Sequence, residues 1–376
     1  PDTKRARILV ADDQADVLEA LRWLLTGEGY DAQFVSSTDA IMERLQAEPF
    51  DLLLMDLNYS RDTTSGREGL ELIPRVRAHD PALPIVVMTG WGSIDTAVEA
   101  MRRGARSFVQ KPWEDVTLLE ILEREIAEAR AARHRDQKQQ RELDDARMIQ
   151  RGLLPTSVPQ IAGLQVAVAW QPANDVGGDC FDTLAFGDAL GVSIADIAGK
   201  GLPAALLMSN LQAAVRAFAQ ESVPPSSICA SVNRLLCRNM ASGRFATFCY
   251  ARLDTTNRRI VYSNAGHNPP LLVRASGEIV RLTEGGMVLG VFPDTGYEQA
   301  ECALRDGDRL IFYTDGMTEA RDAAGEEFTE ERLAEAALRV RGSSVETIKD
   351  ALLETVTTFC DGRFEDDATL IVVGLS

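Results

Sequence analysis

Histidine is scarce in this sequence, and cysteine is poorly spaced for chemistry. Across 376 residues there are three histidines and six cysteines. No two cysteines form a CxxC pair, which excludes the usual zinc and disulfide frameworks. No apolar run reaches membrane length and no signal-peptide pattern is present, so the expectation is a non-membrane protein of a reducing cytoplasm. Positive charge is in deficit too: 39 Lys and Arg face 57 Asp and Glu, for a net charge of −18. That balance argues against a nucleic-acid surface and suits cations or basic protein partners. A Walker loop is also missing. In "ADIAGKGLPAALL", residues 195–207, Ile194 stands where the first glycine of that loop belongs, and Gly201 replaces its Ser or Thr. What the loop does hold is Asp196, at the tip of the apolar run "LGVSIAD".

Carboxylates at the ends of apolar runs recur along the chain. From residue 7 to about 122, "RILVADD", "DAQFVS", "FDLLLMDL", "PIVVMTG" and "SFVQKP" read as strands of a parallel sheet covered on both faces. Between them, Val17, Leu21, Leu24 and Leu25 have helical spacing, as do Ile94, Val98 and Met101, and Ser37 or Thr38 stands where a helix cap belongs. The pattern predicts a doubly wound α/β unit, with ligands at the carboxyl ends of its strands. Asp12, Asp13, Asp56, Thr89 and Lys111 collect at those ends. Any one of them reads equally well as a solvated turn. Together, three converging carboxylates call for a hard cation such as Mg²⁺, and a lysine and a hydroxyl beside them suit a phosphoryl group on Asp56.

This stretch resembles the response-regulator receiver domain over its full length. The resemblance implies that Asp56 accepts a phosphoryl group from a histidine kinase, and that Asp13 binds Mg²⁺ directly, with Asp12 acting through water. It further implies that the Asn58 carbonyl is a ligand, that Thr89 and Lys111 contact the phosphoryl group, and that Phe108 is an aromatic switch. The loop "DLNYSRDTTSGREG" departs from the pattern: it is about five residues longer than usual and lacks the usual proline.

Residues 123–154 form a connector without proline. Leu119, Leu122, Ile126 and Ala129 keep a 3-4 spacing, Leu143, Ala146, Ile149 and Leu153 resume it, and "RHRDQKQQRE" between them is polar on every face. A single solvated helix is one reading. A parallel two-stranded coiled coil, and hence a homodimer, accounts for both apolar ends.

After Pro155 the pattern is β-rich, with helical stretches at 203–219, 226–240, 330–340 and 345–359, which predicts an α+β layered domain over 155–376. Asp179 and Asp182 lie in "VGGDCFD", Asp315 in "YTDGMTEA", and Asp366 and Asp367 in "EDDATLIV". Carboxylates gathered from distant points suit a pair of hard divalent ions, although Asp-Gly alone is an ordinary turn.

Taken together, "GGDCFD", "ADIAGKGLPAALLM", "NAGHNPPLL", "GMVLGVF", "GDRLIFYTDGMTEA" and "DDATLIVV" resemble the PPM metal-dependent serine/threonine phosphatases, in the branch that controls bacterial stress-response and sporulation sigma factors. The resemblance, over about residues 145–376, implies an αββα sandwich with two Mn²⁺ or Mg²⁺ ions. Asp196 would bridge them, with Asp179 and the Ile197 carbonyl on one ion and Asp315 and Asp366 on the other. Asp182 and Asp367 would stand behind these ligands. Activated water then replaces a side-chain nucleophile. His267 is expected to be structural, Lys200 either to attract phosphate or to face solvent, and Ala198 stands where better-known relatives carry a histidine proposed as the leaving-group acid. The domains expected are thus a receiver at 1–122, a helical linker at 123–154 and a phosphatase at 155–376. The expected substrate is a phosphorylated anti-anti-sigma factor. The alternative is a non-catalytic adaptor that binds a sigma factor or its regulators.

Overall fold

The short apolar runs of the N-terminal third pair in parallel. The computed structural model describes residues 5–59, 67–90, 94–155, 157–173, 176–240 and 243–375, and the chain divides into two compact units, 1–140 and 141–376. The first unit runs β1 (Arg7–Ala11), α1 (Ala15–Gly27), β2 (Asp31–Val35), α2 (Thr38–Ala47), β3 (Leu52–Asp56), α3 (Arg67–His79), β4 (Ile85–Thr89), α4 (Ile94–Arg102), β5 (Ser107–Gln110) and α5 (Asp115–Leu153). Its five strands are ordered β2-β1-β3-β4-β5, all neighbours parallel. The pleat sends alternate residues to opposite faces. Leu9, Leu53 and Val87 meet Ile41, Leu72 and Val76 of α2 and α3, whereas Ile8, Leu52 and Val86 meet Leu21 and Leu25 of α1 and Leu118 and Leu122 of α5. Ser37 rather than Thr38 caps α2, its hydroxyl accepting the amide of Ala40 at 3.3 Å. In α4 the expected stripe is displaced: Ala97 and Ala100 are buried while Val98 and Met101 are exposed. Residues 60–66 of the long loop after Asp56, and the side chain of Ile94, lie outside the described residues.

The connector stripe divides in two. Leu122, Ile126 and Ala129 are buried in the first unit, where Leu122 and Ile126 close the hydrophobic face under α1. Polar ties reinforce that docking: Arg130 grips both oxygens of Asp51 at 3.1 and 2.9 Å, and Arg133 reaches Asp80 at 2.9 Å. The first half of the expected coiled-coil seam is therefore part of a monomer's core. In the second half Leu143, Ala146 and Leu153 are partly buried, and Ile149 is exposed.

The second unit continues β6 (Leu164–Gln171), β7 (Cys180–Phe186), β8 (Ala189–Ile197), α6 (Leu202–Phe218), α7 (Pro225–Asn239), β9 (Ala246–Asp254), β10 (Arg259–Ala265), β11 (Leu271–Val273), β12 (Ile279–Arg281), β13 (Gly285–Gly286), β14 (Ala300–Ala303), β15 (Arg309–Tyr313), α8 (Glu330–Val340), α9 (Val345–Phe359) and β16 (Ala368–Leu375). One sheet is ordered β13-β10-β9-β8-β7 with β14 on β10, the other β12-β11-β15-β16-β6. β16 shows the layering most plainly, because all eight of its residues are buried. Ile371 and Val373 join the core shared by the two sheets with α6 and α7, while Leu370 and Val372 face a second core with α8 and α9. The result is the helix–sheet–sheet–helix sandwich expected. Among the described residues, no helix is long and apolar enough to cross a membrane.

Candidate functional sites

Parallel pairing brings the carboxyl ends of β1, β3, β4 and β5 to one edge, and the polar residues of the first unit gather there. Asp12 and Asp56 are buried, Asp13 is half-buried, and the three bring carboxylate oxygens within 4.8 Å of one another. The Lys111 ammonium donates to Asp12 Oδ2 at 2.5 Å and lies 3.1 Å from Asp56 Oδ2. Burial pushes the Asp56 carboxyl above its ordinary range; Lys111 opposes that shift and Asp12 adds to it. Thr89 is buried at the end of β4, and its carbonyl accepts the Lys111 amide at 2.7 Å. Asp13, Gln14, Asp56, Asn58, Gly90 and Lys111 line a cleft of about 120 Å³. The buried Asn58 Oδ1 has no hydrogen-bond partner among the described residues. A cluster of hard oxygens with one orphaned among them fits a small divalent cation. Phe108 is 47% exposed on β5, apart from this cleft.

In the second unit, antiparallel pairing sets the four expected ligands at one end of the sandwich. Cys180 pairs with Ala195, which places Asp179 beside Asp196 at the ends of β7 and β8. Tyr313 pairs with Leu370, so the turn at Asp315–Met317 lies next to Asp366 and Asp367 before β16. Two hydroxyls from the second sheet reach across to the first: Thr314 and Thr369 donate to Asp179 Oδ2 at 2.7 and 2.5 Å. Asp367 works in the same direction, accepting the amides of Ala173 and Gly178 at 2.9 and 2.8 Å.

The approach is so close that residues 177 and 178 must be glycine. A Cβ on Gly177 would lie 1.8 Å from Asp367 Oδ2, and one on Gly178 would lie 2.9 Å from the Ile197 carbonyl and 3.1 Å from Asp196 Oδ1. The contacts of 1.8 and 2.9 Å are shorter than real Cβ contacts and that of 3.1 Å is tight, so a side chain at either position would push Asp367 or the Ile197 backbone away.

Burial and mutual repulsion dominate the electrostatics. Asp179 is pushed well above the ordinary carboxylate range, first by burial and then by Asp196. Asp196 is pushed up to about 7 by burial, then by Asp315, Asp366 and Asp367. Asp315 is pushed up to about 6 by burial, then by Glu319 and Asp366. Carboxylates strained in this way are stabilised by a divalent cation, and an all-oxygen set selects Mg²⁺ or Mn²⁺. The donor chemistry fits those ions, but among the described residues no three of these carboxylates bring oxygens within 4.8 Å of one another, as Asp12, Asp13 and Asp56 do.

A match to the Stage II sporulation protein E (SpoIIE) family covers residues 187–376, half of the chain, and a match to the response regulator receiver domain covers residues 8–123. The chain belongs to the SpoIIE family. It is a response regulator whose receiver domain is joined to a metal-dependent protein serine/threonine phosphatase domain. It is 30% identical over 240 residues to the phosphoserine phosphatase RsbU of Bacillus subtilis, spanning 62% of this chain and 69% of RsbU. It is also 30% identical over 261 residues to the protein IcfG of Synechocystis, spanning 62% of this chain and 41% of IcfG. Among solved structures, the RsbU and RsbW domains of a Mycobacterium tuberculosis protein align with a TM-score of 0.53 at 29% identity, covering 59% of this chain and 63% of that one.

In the second unit, Asp182 and Lys200 find other partners than expected, and His267 stands as expected. Asp182 does not stand behind the ligands: it is buried in an ion pair with Arg216 of α6, Nε to Oδ2 at 2.5 Å. Three positions along an alternating strand turn its side chain to the face opposite that of Asp179. Lys200 is drawn to Asp366 Oδ2, at 3.0 Å. His267 is structural, buried with its Nε2 3.1 Å from the Tyr313 carbonyl. A carbonyl only accepts, so Nε2 carries the proton and Nδ1 accepts the Thr247 hydroxyl at 2.8 Å. Burial pushes the ring down to about 4.

Gln150 was not singled out from sequence. It is buried near the end of α5, where its amide nitrogen donates to the Gly177 carbonyl at 2.7 Å and its oxygen accepts the Gly177 amide at 3.1 Å. The signal was its position seven residues after Leu143 and four after Ala146, a polar residue on an apolar face.

Proposed function

We propose that the chain converts phosphorylation of Asp56 by a histidine kinase into controlled hydrolysis of phosphoserine or phosphothreonine on a protein, the substrate being an anti-anti-sigma factor. The observation that carries the catalytic part is the gathering of Asp179, Asp196, Asp315 and Asp366 from four separated segments to one end of both sheets, with burial and mutual repulsion acting on Asp196 and Asp315. In this reading Asp179, Asp196 and the Ile197 carbonyl would hold one divalent ion, and Asp196, Asp315 and Asp366 would hold a second. Bound Mn²⁺ or Mg²⁺ supplies a Lewis acid that activates water and stabilises charge on the transferring phosphoryl group. The chain's own residues do the positioning. Thr314 and Thr369 fix Asp179, Asp367 holds the Gly177–Gly178 turn against the ligands, and Gln150 holds the same turn from α5. The phosphoserine specificity is supported by the likeness to RsbU.

In the receiver, the phosphoryl group moves from a phosphohistidine nitrogen to an Asp56 oxygen, so a P–N bond breaks, a P–O bond forms and the imidazole takes up a proton. Lys111 offsets the charge and Thr89 offers its hydroxyl, while Asp12 and Asp13 would hold the divalent ion that adds further positive charge. We further propose that the exposed end of α5, around Ile149, pairs two chains.

The decisive test is Asp196→Asn. With Mn²⁺ and a phosphoserine peptide, wild type should turn over, and the variant should fall by about two orders of magnitude or more, beyond the 10–100-fold typical of losing a ligand's outer partner. Equal turnover by both would overturn the metal assignment. Absence of Mn²⁺-dependent hydrolysis in wild type would favour the adaptor reading.

A further inference from the structure

Lys200 stands between two loops that carry candidate ligands. Its Nζ lies 3.0 Å from Asp366 Oδ2 and donates to the Glu365 carbonyl at 2.7 Å, tying the loop after β8 to the loop before β16. The other Asp366 oxygen, Oδ1, accepts the Asp367 amide at 2.9 Å. Oδ1 is therefore engaged by backbone, and Oδ2 is the oxygen the lysine holds. Lys200 is flanked by Gly199 and Gly201, whose φ values of +115° and +75° belong to glycine, and neither has a heavy atom within 4 Å of where a Cβ would be. The lysine side chain itself is 57% exposed. The ammonium is thus held by two polar contacts to one loop, on a largely solvent-exposed side chain flanked by two glycines.

We propose that Lys200 is a built-in competitor for the divalent cation at Asp366. The ammonium occupies Oδ2, and a metal ion taking that oxygen must displace it. Two cations cannot share the same carboxylate oxygen without strong repulsion, so the lysine weakens metal binding at this position and swings away when the metal enters. The inference rests on the reading of Asp366 as a metal ligand. A lysine that instead oriented Asp366 for the metal would have the opposite effect on affinity, so the two roles are separable.

The test is calorimetric titration of Mn²⁺ into the full-length chain, in an Asp13→Asn background that removes one of the three receiver carboxylates. Four proteins are compared: that parent, Lys200→Met, Asp366→Asn and the double variant. Methionine keeps most of the aliphatic length and removes the ammonium, with its charge and its hydrogen bonds. Lys200→Met should tighten Mn²⁺ binding by roughly two- to fivefold, the scale of a solvent-exposed ion pair. In the Asp366→Asn background the same change should do nothing, because the competitor has lost the group it holds. Unchanged or weaker binding in Lys200→Met, with binding weakened by Asp366→Asn, would overturn the competitor and leave Asp366 a ligand. If Asp366→Asn binds Mn²⁺ as well as its parent does, the ligand reading fails and the inference with it.

Discussion

At the scale of single residues, His267 shows how the sandwich uses a titratable group as a structural strut. Its ring joins Thr247 on β9 to the carbonyl of Tyr313 on β15, and burial holds it down at about 4 against an ordinary value of 6.5. With the folded value depressed, the stability that neutral His267 contributes is present above pH 6.5 and is lost as pH falls towards 4. Between pH 7 and pH 5 that loss is about 2 kcal/mol for this one group. Urea melts of the full chain should therefore show His267→Asn less stable than wild type at pH 7 and the gap narrowing by about that amount at pH 5. A gap that stays constant would mean the ring is not held neutral by burial. The Gly177–Gly178 turn is a second residue-scale constraint, since a Cβ at either position would displace Asp367 or the Ile197 carbonyl.

At the scale of elements, α5 is one helix with two kinds of surface. Its first turns are receiver core: Leu122 is fully buried and Ile126 is 5% exposed, whereas Ile149 near the other end is 67% exposed. A buried unpaired charge costs several kcal/mol, so Leu122→Asp with Ile126→Asp should abolish the cooperative unfolding of the receiver seen by circular dichroism. Ile149→Asp should leave the fold intact and weaken the proposed pairing of two chains, read by light scattering. Retention of a folded receiver in the first variant would contradict the packing of α5. An undiminished dimer in the second would place the pairing surface elsewhere.

At the scale of the whole molecule, the 39-residue α5 is continuous between the receiver and the phosphatase domain. Within the first unit it is tied through Arg130 and Arg133, and within the second it holds the Gly177 turn through Gln150. On the proposed reading, a change of state at Asp56 would travel along α5 towards the Gly177 turn that precedes Asp179. A coupling of about 1–3 kcal/mol is enough to change turnover several-fold. A small phosphodonor with Mg²⁺ should label wild type with an acid-stable, base-labile acyl phosphate and shift its phosphatase rate, and Asp56→Asn should show neither. Undiminished labelling of Asp56→Asn would refute the acceptor assignment, and labelling of wild type without any rate change would refute the coupling.

Apolar periodicity and residue type are properties of the chain itself, and they determined most of the architecture. The five receiver strands, the four helices of the second unit and its β-rich character are readable because each is a local run with its own period. β7 escaped because "CFDTLAF" interrupts its apolar run with Asp182 and Thr183, while β13 and β14 are too short to show a period. Aspartates beside glycines at strand ends marked the candidate sites for the same local reason. Partners across the fold were not written locally. Which face of β7 carries Asp182 to Arg216, which half of the α5 stripe is core, which carboxylate receives Lys200 and what Gln150 grips depend on register and layer order. These contacts join residues from 27 to 166 positions apart, and only the packing of sheets and helices brings such positions together.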